Sequence, residues 1–185
     1  SEEEGANAGH SHTVDPHVWL DPVLAQTEVS TIAEGLAEAD PDNAEDYLEN
    51  AGIYNGKLNE LDEAYRAAFE GTENRTFVTQ HAAFAYLAAR YDLNQISVTG
   101  LNAEVEPSAA ALATLSDYVK ANNISHIYFE NNASSQTAET LAEEVGVELA
   151  VLSPLEGITE EDQKKGSDYI SVMLDNLEAL KKSIN

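Results

Sequence analysis

Apolar residues recur at helical spacing through the first third of the chain. Asp21 is suited to N-capping and Pro22 to the first helical position, and Val23, Leu24, Ile32 and Leu36 then predict a helix to about residue 39. Asp40 and Pro41 repeat the start signal, and Tyr47, Leu48, Tyr54, Leu58, Leu61, Tyr65 and Phe69 carry the period on until Gly71 stops it. Gly52 and Gly56 are expected to weaken this second helix or to let something pack closely against it.

Beyond Gly71 the pattern changes to short β-rich runs, each followed by an amphipathic helix. Residues 76–79, 95–99, 125–129 and 148–152 read as strands; 82–90, 107–121, 135–145 and 167–182 read as helices. Strands separated by helices of this length predict an α/β fold: a four-stranded, mainly parallel sheet with helices on both faces. The continuous apolar runs at 127–129 and 149–152 suit strands buried on both sides. Three segments follow: an acidic tail at 1–14 expected to be disordered, a helical linker or spine at 15–71, and an α/β lobe at 72–185.

Composition narrows the function. Thirty-four acidic residues against nine basic ones give a net charge of −25, which argues against nucleic acid and an anionic membrane surface as partners. Hydrophobic residues still make up 43% of the chain, enough for a folded core. With no cysteine, a disulfide framework, a thiolate metal site and a Cys nucleophile are all excluded. No run of about 18 apolar residues offers a membrane span, and no charged-then-apolar start reads as a signal peptide. The opening SEEEGANAGHSH, with no fold logic of its own, reads as the start of a mature protein or a fragment.

Ligands of open α/β sheets bind beyond the carboxyl ends of the strands. The residues at those ends are His81, the Gly100-Leu101 pair, Glu130 and Glu156, so three of four exits carry a potential metal ligand. No Gly-rich phosphate cradle and no Gly-x-Ser-x-Gly elbow accompanies them. For His81, exit position favours a ligand over a helix-terminal histidine bonding its own turn. His17, held in a stiff stretch between Asp-Pro dipeptides, is open between a ligand and a capping or packing histidine. Glu156 alone reads as a solvated turn residue, Glu130 as a loop-capping carboxylate rather than one that orients a histidine, and His126 as a solvated surface histidine at the opposite end of the sheet.

The segments DPHVWLDP, TQHAAFAYLAARY, VEPSAAAL, ASSQTAETLAEEVGVELAVLSPLEGIT and DYISVMLDNLEAL, in this order, resemble the zinc and manganese substrate-binding proteins of ABC importers. The resemblance implies a two-lobed receptor with a long helical spine and one metal ion between the lobes. It places metal ligands at His17, His81 and Glu156. A further histidine comes, in the family, from an N-terminal lobe that these residues do not include. His10 and His12 look like the end of the His-rich acidic loop of zinc-specific members, and the chain therefore reads as a C-terminal half. A histidine at the position of His81 implies Zn2+ over Mn2+, in keeping with two imidazoles and a carboxylate. The implied function is zinc capture outside the cytoplasm and delivery to a membrane permease, without enzymatic activity. Manganese binding by the same class is the first alternative. A zinc-dependent hydrolase, with Glu130 as its acid or base, is the second, and a structural module that dimerises through the interlobe face the third.

Overall fold

The computed structural model describes residues 14–98, 109–122, 124–130, 139, 142–157 and 159–185. His10, His12, Gly100 and Leu101, most of the 135–145 helix and nearly all of the acidic tail lie outside the described residues.

Helix α1 spans Pro22–Ala39 and α2 spans Ala44–Phe69, joined by a 3-10 turn at Pro41–Asn43. The Asp21 side chain accepts from the N–H groups of Val23 and Leu24, satisfying two donors that the first turn of α1 leaves free. In α2, Glu45 and Asp46 sit in the first turn and Arg66 in the last, so the charges oppose the helix dipole at both ends. The helix runs unbroken through Gly52 and Gly56, and a Cβ at either position would meet nothing within 4 Å. The expected close approach is therefore not found; propensity is a weak term, and the buried face at Leu58, Leu61, Tyr65 and Phe69 holds the helix instead.

The sheet is four-stranded and every pair is parallel, in the order β2-β1-β3-β4. Its strands are β1 (Thr76–Thr79), β2 (Asn94–Ser97), β3 (His126–Phe129) and β4 (Glu148–Val151). Successive residues face opposite sides of the sheet. Phe77 and Tyr128 belong to a core shared with α2, α3 (Ala85–Arg90) and the last helix, whereas Val78 and Ile127 belong to one shared with α4 (Ala109–Ala121). Both faces are thus covered, as the apolar runs predict.

Three details differ from the sequence reading. Helix α3 begins at Ala85, not at 82, because Gln80 to Phe84 form the turn that leaves β1; the Gln80 N–H still extends the sheet by bonding the Tyr128 carbonyl at 2.9 Å. A short helix, α5 (Glu160–Lys165), precedes the terminal α6 (Tyr169–Leu180). It starts at Thr159, whose hydroxyl accepts from the Asp162 N–H, and ends at Gly166 in the left-handed region at φ 71°. It lacks an apolar stripe, so periodicity had no purchase on it. His126 begins β3 at the end away from the strand exits, as expected, but it is not freely solvated: its side chain is 15% exposed and lies 3.4 Å from Glu148, its cross-strand neighbour. No helix among the described residues is long and apolar enough to cross a membrane.

Candidate metal centre

The strand order places a topological switch between β1 and β3: β1 continues to β2 on one side and β3 to β4 on the other. A crevice forms at such a point beyond the carboxyl ends of the strands. His81 leaves β1 and Glu130 leaves β3, so this crevice receives both. The His81 turn is held by its carbonyl, which accepts from the Thr79 hydroxyl at 2.7 Å and from the Gln95 amide at 3.2 Å. His17 arrives from the other end of the chain. It precedes the 3-10 turn Val18–Leu20, and its backbone N–H donates to Asp15 Oδ1 at 3.0 Å. The Tyr86 hydroxyl of α3 holds the Asp15 carbonyl at 3.3 Å.

His17, His81 and Glu156 meet in this crevice. One ligand atom from each lies within 4.8 Å of the others, although His17 and Glu156 are 139 residues apart. Both histidines are buried, at 1% and 2% exposure, and their rings are 5.4 Å apart; the Glu156 side chain is 35% exposed at the mouth. His17 Nε2 lies 2.8 Å from Glu156 Oε1, and His81 Nε2 lies 3.9 Å from the same oxygen. Tetrahedral ligands at about 2.0–2.1 Å from a zinc ion stand roughly 3.3–3.4 Å apart, so the trio brackets the spacing such an ion needs.

Each imidazole is backed by a carboxylate. Asp15 Oδ1 lies 2.6 Å from His17 Nδ1, and Glu130 Oε1 engages His81 Nδ1. A carboxylate accepts only, so a neutral ring donates its Nδ1–H outward and is left with an Nε2 lone pair facing the crevice. His81 Nε2 is buried and has no hydrogen-bond partner among the described residues. At His17 that lone pair would face a carboxylate oxygen at 2.8 Å, an arrangement that calls for a proton or a cation between them. Burial pulls the His81 pKa down, but the hydrogen bond to Glu130 and the charges of Glu130, Glu156 and Asp15 outweigh it, and the net shift is upward from 6.5.

The expectation that Glu130 merely caps a loop is overturned: it is 4% exposed and orients His81. Its contact at Nδ1 is on the far side of the ring from Nε2, which removes the acid or base that a hydrolase reading required. Sequence reasoning missed Asp15 altogether, although an Asp two residues before a His is a recognisable local turn signal. The turn carrying Glu156, by contrast, is organised from afar. The buried Asn176 amide accepts from the Ser153 N–H and donates to the Ser153 carbonyl, both at 2.8 Å.

Comparison with known proteins identifies the family. The profile described as zinc-uptake complex component A, periplasmic, matches residues 1–183. The zinc-binding protein AdcA of Streptococcus pyogenes serotype M1 is 54% identical over 173 residues, covering 94% of this chain and 34% of that protein. The high-affinity zinc uptake system protein ZnuA of Bacillus subtilis is 50% identical over 174 residues, covering 94% of this chain and 54% of that protein. The chain therefore spans between a third and about half the length of these relatives. Among solved structures, the Zn(II)-bound ZnuA-like domain of Streptococcus pneumoniae AdcA superposes with a TM-score of 0.81 at 51% identity, over 91% of this chain and 63% of that one. With the profile spanning nearly every residue and the fold shared at this identity, the chain belongs to the family of the periplasmic zinc-uptake complex component A.

Proposed function

We propose that this chain is the C-terminal, metal-receiving part of an extracytoplasmic substrate-binding protein, which captures Zn2+ and passes it to the membrane permease of an ABC importer. His17 Nε2, His81 Nε2 and the Glu156 carboxylate are the ligands this chain contributes, and zinc is the cargo rather than a resident cofactor. The observation that carries the reading is the convergence of the three groups around a buried His81 Nε2 that has no hydrogen-bond partner among the described residues. Two nitrogens and one oxygen suit zinc; manganese favours more oxygen donors. Calorimetric titration of the full-length protein with Zn2+ and Mn2+, alone and in competition, tests it. Tight 1:1 zinc binding that manganese does not displace is expected; absence of zinc binding would overturn the proposal.

Proton competition supplies a second expected result. Metal binding needs both imidazoles neutral, and the raised His81 pKa starts the competition above the ordinary value of 6.5. Zinc affinity should fall as pH is lowered from 8 to 5.5, approaching about tenfold per unit once pH is below the raised His81 pKa. The contribution of His81 to the stability of the metal-free fold has the opposite slope. A histidine with a raised folded-state pKa contributes stability that is fully present below 6.5 and lost as pH rises through the folded value. The zinc-induced rise in melting temperature should therefore grow from pH 5.5 to pH 8. An affinity flat across this range would exclude His81 from the ligand set.

Glu130→Gln keeps all three ligands but replaces the carboxylate behind His81 by an amide. Zinc affinity measured against a fluorescent chelator is expected to fall about 10- to 100-fold, with the melting temperature in chelator little changed. An unaltered affinity would show that the carboxylate charge does not tune the site.

A further inference from the structure

We propose that Trp19 is a positioning residue for the Glu156 carboxylate, an inference that rests on the zinc-site reading above. The turn that carries Glu156 is fixed at two points before it reaches the crevice. Asn176 clasps the backbone of Ser153 from both sides. One residue later, the Trp19 indole N–H donates to the Pro154 carbonyl at 2.9 Å, across 135 residues of sequence. Leu155 then takes the left-handed conformation, at φ 56°, with its N–H on the Ser153 hydroxyl at 3.3 Å. A leucine resists that conformation sterically, so surrounding contacts must hold it there. Asn176 acts upstream, and the indole bond is adjacent to the strained residue.

Trp19 is itself well anchored. Its carbonyl accepts from the Tyr169 hydroxyl at 2.6 Å, its ring packs on the main core, and it meets the His17 ring in a T-shaped contact at 5.3 Å between centroids. The same residue therefore touches one ligand directly and fixes the backbone two residues before another. Glu156 is also the most exposed of the three ligand side chains, with the least packing of its own to hold it. Without the indole bond, Leu155 is free to relax and the carboxylate to swing away from the two imidazoles. A bound ion would then lose its oxygen ligand more often, which raises the dissociation rate more than it changes capture.

The test is a double-mutant cycle in the full-length protein, read by stopped-flow release of Zn2+ into excess chelator. Trp19→Phe keeps an aromatic ring beside His17 and removes the N–H donor together with part of the indole's bulk, a packing loss that is the same in both backgrounds of the cycle. In the otherwise unaltered protein it is expected to speed zinc release roughly 5-fold. In a Glu156→Gln background, where the turn no longer presents a carboxylate, the same substitution should change release by less than about 2-fold. An equal acceleration in both backgrounds, or none in either, overturns the inference, because a purely structural tryptophan would act independently of Glu156. Should Trp19→Phe fail to fold, Tyr169→Phe loosens the tryptophan's anchorage, and the same dependence on Glu156 is expected of it. A His81→Ala protein that binds zinc as the parent does overturns the zinc-site reading and this inference together, whereas the cycle overturns this one alone.

Discussion

Substituting His81 by alanine in the full-length protein is expected to weaken zinc binding by at least about 100-fold. A complete four-ligand zinc site is worth about 10–16 kcal/mol, so one ligand accounts for roughly 3 kcal/mol, or about two decades in affinity. His81 should stand at or above that mean for two reasons. Its Nε2 is buried and unpartnered, so binding the ion forfeits no competing hydrogen bond within the described residues. Its ring is also oriented in advance by Glu130, which lowers the ordering cost at the moment of binding. Competition titration with a fluorescent chelator measures the loss, and melting in excess chelator separates it from any effect on the fold. That separation matters because the substitution also strands Glu130, a carboxylate only 4% exposed, without its imidazole. Affinity within about threefold of the parent would exclude His81 from the site.

Loss of Arg90 should cost substantial stability. The Arg90 guanidinium meets the Asp21 carboxylate through Nε at 2.8 Å and 3.0 Å and through Nη2 at 2.8 Å. Asp21 is 3% exposed, and its remaining partners are the N–H groups of Val23 and Leu24 that it caps. Arg90→Ala leaves that buried charge short of its counterion, and the expected cost is about 3 kcal/mol. Asp21→Asn preserves the cap and should cost less. The bridge joins α3, which follows His81, to the start of α1, which follows His17, so zinc affinity should fall together with stability. Denaturant unfolding of the metal-free protein provides the measurement, and a difference under about 0.5 kcal/mol would show that this ion pair holds nothing together.

Much of this was legible along the chain because its signals are short-ranged. Asp21-Pro22 marks a helix start to the residue, and the four β-rich runs fall within one or two positions of the observed strands. His81, Glu130 and Glu156 were found by asking which groups follow strand ends, a rule that needs only the order of elements. The failures share a cause. Ile32, Leu36 and Leu48 have the spacing of a buried helical face, yet they are 62%, 44% and 50% exposed. Spacing says that a face is apolar and cannot say what covers it. Glu130 and His126 were misjudged in the same way: each gains its partner, His81 or Glu148, from a neighbouring segment whose register sequence does not reveal.

Secondary structure, the α/β class and the kinds of ligand at the strand exits are determined by sequence, through caps, periodicity and turn residues that act over a few positions. Only tertiary structure decided that His17, His81 and Glu156 converge, that Glu130 sets the direction of the His81 imidazole, and that Trp19 reaches Pro154. Those relations span up to 139 residues and are set by how the sheet and helices pack. A shift of a single ångström there, to which no local pattern is sensitive, would separate ligands from ion.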